Sequence, residues 1–227
     1  MIMGVPYDAE IAYLESTGEQ WIDTGIYADN RYTISFKIED KPLTNKGTYG
    51  LFGEYVGSGG KLCYMSIDKQ TSNRFSGGWD GYTFGAWSVQ SWGGNTYEFV
   101  MNRNKSMVNG SLWASYSSTV INESGYTMLI FNVNNTWFEK SRVKLHYFKI
   151  EMDSKPIIDL IPVRVGNVGY MYDRVTRKLF GNKGTGAFVL GPDVAKPVMG
   201  LRKFTPTARN YVQDGLVAMW DGIENAG

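Results

Sequence analysis

The chain has 227 residues, of which 43% are hydrophobic and 20% charged, so it can bury the core of one all-β domain of about 200 residues. Its 23 basic and 22 acidic residues are interspersed and leave a net charge of +1, which argues against a nucleic-acid-binding face. The sequence has no polybasic amphipathic helix and no apolar run of about 18 residues, so no membrane insertion is predicted. The single cysteine, Cys63, cannot form an intramolecular disulfide and is predicted to be a buried, inert thiol.

The first third of the chain reads as short strands separated by polar turns. Residues 1–9 are predicted to form an arm that has neither the basic region nor the apolar run of a signal peptide, so we expect no export address here. Strands are predicted at Glu10–Leu14 and Gln20–Ile22. Arg31–Ile38 alternates as a half-buried strand, and its inward side chains should be Tyr32, Ile34, Phe36 and Ile38.

The middle of the chain continues this pattern with aromatic strands and glycine turns. Tyr49–Tyr55 and Leu62–Ile67 predict a strand pair, and Asn109-Gly110 is a strong hairpin signal between two further strands. Residues 75–94 (FSGGWDGYTFGAWSVQSWGG) are predicted to be the least regular, loop-like part. Tyr126–Asn132 predicts a buried strand.

The stretch Lys144–Gly191 (KLHYFKIEMDSKPIIDLIPVRVGNVGYMYDRVTRKLFGNKGTGAFVLG) predicts an antiparallel meander. Its strands alternate with tight reversals at Gly166–Gly169 and Gly181–Gly186. We therefore predict an all-β fold, an antiparallel β-sandwich in jelly-roll order.

Four sequence motifs carry a resemblance to a known family. YLESTGEQWIDTGI (Tyr13–Ile26) occurs together with YFKI, DLIPVRVGNVGYMYD and LFGNKGTGAFVLG. This combination resembles the concanavalin A-like, laminin G-like jelly rolls found in proteins of gut Bacteroides-type bacteria and their phages. The resemblance covers nearly all of residues 10–192, although roughly Gly47–Asn135 matches only as a pattern of strands. It implies a sandwich with a surface-recognition role and supplies no active site.

The C-terminal residues are predicted to lie outside the sandwich, which should span 10–192. Residues 193–210 are rich in basic residues and proline and read as a linker. Residues 211–227 resemble the opening strand of a further laminin G-like module. The favoured interpretation is that the chain is a fragment of a longer protein. In the alternative, residues 194–227 dock on the sandwich or on a neighbouring subunit.

Catalytic patterns are weak in this sequence. The only histidine, His146, lies on a predicted strand, where a structural role is favoured over a place in a Ser-His-Asp site. Glu151 and Asp153 form half of the carboxylate pattern of jelly-roll glycoside hydrolases, but Lys155 and Pro156 follow and the closing acid is missing. We predict no catalytic residues and no enzyme activity.

Calcium binding is common in laminin G-like domains, so the resemblance leaves a bound Ca²⁺ possible. Asp68, Asp80 and Asp173 are the loop carboxylates considered for it. None shows the ligand spacing of a specific calcium loop, so the metal ligands are undetermined. No other cofactor is predicted.

The tryptophan- and glycine-rich segment is the candidate ligand site. Sugars place apolar C–H faces on aromatic rings, while Asp, Asn and Gln side chains bind their hydroxyls. The alternative is that these aromatics fill the concave face of the sandwich or a subunit interface. The candidate glycan-binding residues are Trp79, Asp80, Tyr82, Trp87, Gln90, Trp92 and Asn95.

Three functions compete at this stage. The favoured one is a non-enzymatic recognition or structural module on an extracellular particle, such as a phage fibre or capsid decoration, which binds virion neighbours through residues 194–227. The second is a secreted bacterial carbohydrate-binding or adhesion domain. The third, a glycoside hydrolase, is disfavoured because the carboxylate pattern is incomplete.

Overall fold

Every regular element in the described residues of the computed structural model is a β-strand, which confirms the all-β prediction. The structure describes residues 5–43, 45–55, 62–69, 73–79, 82–116 and 125–194, with the backbone alone at 62 and 82–86. None of these residues belongs to a helix that could cross a membrane. The strands in chain order are β1 (Ala9–Glu10), β2 (Leu14–Glu15), β3 (Ile22–Tyr27), β4 (Tyr32–Asp40), β5 (Thr48–Tyr55), β6 (Leu62–Asp68), β7 (Arg74–Trp79), β8 (Tyr82–Ser88), β9 (Thr96–Asn102), β10 (Lys105–Val108), β11 (Ser111–Ser115), β12 (Thr127–Ile130), β13 (Glu139–Lys140), β14 (Val143–Met152), β15 (Lys155–Val165), β16 (Val168–Asp173), β17 (Leu179–Phe180) and β18 (Val189–Leu190).

Two sheets pack face to face as a sandwich, as predicted. The larger sheet has the order β11-β10-β9-β4-β14-β15-β16-β17, with β1 paired to β15 and β2 lying between β14 and β18. The smaller sheet has the order β3-β12-β5-β6-β7-β8, and its pairs are antiparallel except that the short β13 runs parallel to β5. The connection from β8 to β9 passes from one sheet to the other, which places its loop at an edge of the sandwich.

Aromatic rings from both sheets meet in the core. Phe36 of β4 stacks on Phe99 at 4.9 Å between ring centroids and meets Phe52 of the smaller sheet edge-on at 5.0 Å. The predicted alternation of β4 is correct for Ile34, Phe36 and Ile38, which are all buried, whereas Tyr32 is half-buried. Phe36 and Phe52 belong to opposite sheets, so the contact between their rings helps to fix how the two sheets face each other.

Two regions differ locally from the sequence predictions. Residues predicted to be irregular form the strand pair β7–β8, in which Trp79 pairs with Tyr82 and the register shifts once, between Phe75 and Gly77. The reversal predicted over Gly166–Gly169 is confined to residues 166 and 167, because Val165 already pairs with Val168. Only a two-residue turn is needed there, since Gly166 has a φ of 57° in the left-handed region.

The predicted Asn109-Gly110 hairpin is correct. Asn109 and Gly110 have φ values of 48° and 76°, and Val108 pairs with Ser111 across them. This is the backbone shape that an Asn-Gly pair adopts at low cost.

The motif of residues 13–26, near the start of the sandwich, packs against the LFGNKGTGAFVLG motif of residues 179–191, near its end. The backbone N–H of Lys183 donates to the carbonyl of Trp21 at 2.8 Å, and the buried amide of Gln20 donates to the carbonyl of Thr185 at 3.0 Å. A Cβ added at Gly184 would lie 1.9 Å from the Glu19 carbonyl oxygen, so only glycine allows this approach. The motifs therefore occur together because they build one contact.

The edges of the sandwich lie slightly beyond the predicted span of residues 10–192. Ala9 belongs to β1 and pairs with Arg164, and the N–H of Val194 donates to the Glu10 carbonyl at 2.8 Å. The rest of the predicted linker and the tail, residues 195–227, lie outside the described residues.

The outer face of the smaller sheet is covered by the segment Phe131–Phe138. Val133 is fully buried against Tyr64, and Tyr55 and Phe138 pack around them. Gly50 allows the segment to cross, because a Cβ there would lie 2.5 Å from the Val133 nitrogen. Strand β5 is therefore buried on both faces.

Candidate functional site

Trp79 does not lie on the surface of the sandwich. Its side chain is fully buried in the core on β7, opposite Cys63 of β6, so no ligand can reach its ring. The sequence predicted loop-like surroundings for Trp79, whereas the structure places it in strand β7. Cys63 is buried as predicted, and burial raises the pKa of its thiol, which keeps the thiol protonated and inert.

Three of the other candidates lie together. Trp87, Gln90 and Asn95 line a cavity of about 260 Å³ at the connection between β8 and β9. We call it the β8–β9 pocket. Asp80 lies outside the described residues, and Tyr82 is described by its backbone alone, in β8. The pocket is completed by Ser88, Val89, Ser91 and Tyr97.

The aromatic wall of the β8–β9 pocket is part of the seam between the two sheets. Trp87 of β8 meets Trp113 of β11 edge-on, at 6.4 Å between ring centroids. Tyr97 packs edge-on against the buried Phe75 at 4.8 Å. These contacts with the opposite sheet hold both rings in place and leave each partly exposed to the pocket.

Trp92 supports the loop and does not line the pocket. Its ring packs edge-on against Phe75 at 5.1 Å, and its indole N–H donates to Oδ1 of Asn73 at 2.9 Å. The sequence could not separate this role from ligand binding, since both use a tryptophan beside glycines.

Asp40 fixes the loop that carries the polar side chains of the pocket. Its Oδ1 accepts hydrogen bonds from the backbone N–H groups of Gly93 and Asn95, at 3.1 and 2.7 Å. Burial raises the pKa of this carboxyl, and the hydrogen bonds from Asn95 and Gly93 partly oppose the rise. Gly93 has a φ of 134°, a conformation that favours glycine.

The polar groups of the pocket are amides and hydroxyls. The Asn95 amide nitrogen donates to the Ser91 carbonyl at 3.0 Å, which leaves its side-chain oxygen available as an acceptor. Gln90 is exposed and uses no side-chain hydrogen bond within the described residues. None of the seven lining residues is charged. The pocket can therefore stack an apolar ring face and hydrogen-bond neutral hydroxyls, and Tyr97 is the one titratable side chain among its described lining residues.

Glu151 and Asp153, the carboxylates considered for hydrolysis, are engaged in an ion pair and a turn. Glu151 forms an ion pair with Lys149 at 2.8 Å, and Asp153 is the first residue of the two-residue turn between β14 and β15, with a φ of 50°. Both lie on the larger sheet, whereas the β8–β9 pocket lies at its junction with the smaller one.

His146 is the extra residue of a β-bulge, where the register between β14 and β4 shifts. Its Nδ1 lies 2.9 Å from the carbonyl oxygen of Ala12, and its ring meets Tyr13 edge-on. Nε2 is buried without a partner among the described residues. Burial lowers the pKa of the imidazole, so the neutral form with a proton on Nδ1 is favoured.

Two of the carboxylates considered for calcium are engaged elsewhere. Asp68 forms an ion pair with Arg74 at 2.6 Å. Asp173 is fully buried and accepts from the N–H groups of Asp159, Val175 and Thr176, so it shapes the turn after β16. Within the described part of the chain, no group of three or more acidic, cysteine or histidine side chains could hold a metal ion.

The sequence interpretation missed a second aromatic pocket. Residues 134 and 135 were predicted only as a turn, yet Trp137, two residues further along the chain, is 80% exposed. Beside it lies a cavity of about 360 Å³ lined by Trp21, Leu129, Asn132, Val133, Asn134, Asn135, Thr136 and Phe138. The signal that could have found it is the run VNNTWF, two asparagines and a tryptophan directly after the predicted strand Tyr126–Asn132.

One comparison with a known protein supports the fold. No protein-family model matches the chain, and no curated protein sequence matches it. A similar solved structure is that of a candidate carbohydrate-binding protein from Bacteroides ovatus, with a TM-score of 0.55 and 10% identity over 82% of this chain. The chain spans 61% of the length of that protein. A Trypanosoma rangeli sialidase matches 52% of this chain and 20% of its own length, with a TM-score of 0.37 and 19% identity.

Proposed function

We propose that the sandwich is a carbohydrate-binding domain that binds a glycan in the β8–β9 pocket. The observation that carries the proposal is the meeting of an aromatic wall, Trp87 and Tyr97, with the exposed amides of Gln90 and Asn95 in one cavity. A sugar ring would stack its C–H face on the indole while its hydroxyls bond to the amides.

The loop geometry supports this proposal over a purely structural role. A buried carboxylate, Asp40, holds the loop from beneath, so the amides are positioned before a ligand arrives and less entropy is lost on binding. The similar Bacteroides ovatus structure, described as a candidate carbohydrate-binding protein, adds support at the level of fold. The sequence motifs add the resemblance to concanavalin A-like, laminin G-like jelly rolls.

We further propose that the domain recognises its target without cleaving it. The two carboxylates considered for hydrolysis form an ion pair and a turn, and the β8–β9 pocket has no charged lining residue.

The proposed setting is an extracellular particle, most simply a phage virion surface, with residues 194–227 joining a neighbouring subunit or a further module. The alternative is a secreted bacterial carbohydrate-binding or adhesion domain. The genes beside the natural coding sequence separate these: capsid or tail genes favour the virion, and an upstream export signal favours secretion.

The test is a glycan array followed by calorimetry on each glycan that binds. Gln90→Ala should weaken binding about two- to tenfold, the worth of one neutral hydrogen bond, without changing the melting temperature. Asn104→Ala is the matched control, because it removes an exposed amide from the distant β9–β10 turn. Equal affinities for wild type and Gln90→Ala would refute the pocket assignment. Release of new reducing ends from a bound glycan would instead restore the hydrolase.

A further inference from the structure

The loop Asn132–Phe138 is rigidly held, although it forms no strand. Val133 is fully buried beneath it, and the N–H of Asn134 donates to the Gly53 carbonyl at 3.1 Å. The side-chain nitrogen of Asn135 donates a hydrogen bond to the Tyr55 carbonyl at 2.7 Å. Three successive residues thus anchor the loop to the outer face of the smaller sheet.

Trp137 is turned outward by the same anchor. The Oδ1 of Asn135 accepts the backbone N–H of Trp137 at 2.8 Å, so one amide side chain bonds to the sheet and fixes the turn that carries the tryptophan. The ring of Trp137 is 80% exposed, although Phe138 beside it is packed against Tyr55 and Tyr64. The turn therefore presents a large ring, apolar on its face and polar at its N–H, to any ligand in the neighbouring cavity.

The cavity beside Trp137 indicates the chemistry of the ligand. Its two flanking residues, Thr136 and Phe138, both line the cavity of about 360 Å³, with Trp21 among the other lining residues. None of the eight lining residues is charged. The wall contains asparagine and threonine side chains, which are neutral hydrogen-bonding groups. The combination suits a neutral polyhydroxylated ring, and none of these lining residues supplies a cation for a carboxylate or phosphate.

We propose that Trp137, Trp21 and the Asn132–Phe138 loop form a second sugar-binding site, specific for neutral sugars. It stands apart from the β8–β9 pocket, because β12 and β8 are four strand spacings apart in the smaller sheet, roughly 19 Å. The domain would then bind two sugar residues at once, and the second site does not depend on the first.

Fluorine NMR on the full chain labelled with 5-fluorotryptophan tests this site directly. Trp137→Phe and Trp21→Phe each remove one resonance and so assign the two reporters. The probes are the methyl glycosides of glucose, galactose, mannose and N-acetylglucosamine, with N-acetylneuraminic acid as the charged comparison. At least one neutral glycoside should shift the Trp137 and Trp21 resonances together and saturably, and the charged sugar should shift neither.

Variants separate this site from the β8–β9 pocket. Trp137→Ala should raise the sugar concentration needed to shift the Trp21 resonance at least tenfold, whereas Gln90→Ala should leave it within twofold. The proposal is overturned if no neutral glycoside moves the Trp137 resonance, if Trp137→Ala leaves the Trp21 titration unchanged, or if the Trp137 resonance shifts only with protein concentration, which would indicate self-association.

Discussion

Asp40 is a buried carboxyl group that holds the loop between β8 and β9 in place. Replacing it with alanine would leave the N–H groups of Gly93 and Asn95 without their acceptor, at a cost of about 1–3 kcal/mol in the free energy of unfolding. Asp40→Asn keeps an oxygen in place for both, so it should cost less than about 1 kcal/mol. Urea denaturation measures the stabilities, and amide exchange at Gly93 and Asn95 should speed up only in Asp40→Ala. Equal losses in both variants would mean that the charge, and not the acceptor, holds the loop.

His146 makes stability depend on mildly acidic pH. Burial lowers the pKa of its imidazole in the folded state, whereas in the unfolded chain the pKa is about 6.5. The unfolded state therefore takes up the proton first, so this contribution is complete above pH 6.5 and is lost as the pH falls below it. One proton limits the loss to about 1.4 kcal/mol per pH unit.

His146→Asn provides the test of this pH dependence. The asparagine amide can still donate to the Ala12 carbonyl but does not titrate in this range. Melting temperatures of wild type and variant, measured from pH 7.5 to 5, should diverge below pH 6.5, with the steeper fall in wild type. Parallel curves would assign the pH dependence to the carboxyl groups instead.

At the scale of elements, the contact between residues 19–21 and 183–185 should be among the most sensitive to substitution. Gly184→Ala would place a methyl group 1.9 Å from the Glu19 carbonyl oxygen, so the backbone must move at a cost of about 3 kcal/mol or more. Gly166→Ala is the control, because it strains the left-handed backbone but meets no atom within 4 Å, and it should cost about 1 kcal/mol. Thermal unfolding of the two variants gives the comparison. Similar losses would show that the loop of residues 181–186 can move away from Glu19.

The sequence was most informative about features that depend only on the residues of a single strand or turn. The alternation of β4 and the Asn109-Gly110 turn were predicted correctly, because period-2 burial and left-handed φ values are local properties. The site was harder to predict. Trp79 directly follows a glycine and Trp87 lies two residues after one, yet Trp79 is buried on β7, inside the smaller sheet, and Trp87 is partly exposed on β8, at its edge. Trp137 was missed because its exposure depends on a side-chain bond from Asn135, which no periodicity encodes.

At the scale of the whole molecule, two sets of long-range contacts complete the sandwich. Between the sheets, Trp87 of β8 meets Trp113 of β11, and Trp87 also lines the β8–β9 pocket. Within the larger sheet, the N-terminal strands pair with the last ones, with Leu14 paired to Leu190 and Ile11 bridged to Asp193. The first set of contacts supports the proposed binding site, and the second joins the first strands to the last.

The pairing of the first strands with the last has a consequence for synthesis on the ribosome. The side-chain nitrogen of Gln20 donates to the carbonyl of Thr185, which is synthesised 165 residues later. Until then β2 has one edge unpaired and the apolar side chain of Leu14 lacks its partner, Leu190. Because distant pairings form slowly and expose strand edges meanwhile, a nascent chain cannot complete this domain until its last strand has emerged. A chain stalled before Leu179 would present an open sheet edge, and should be far more prone to aggregate or to recruit chaperones than one stalled after Val194.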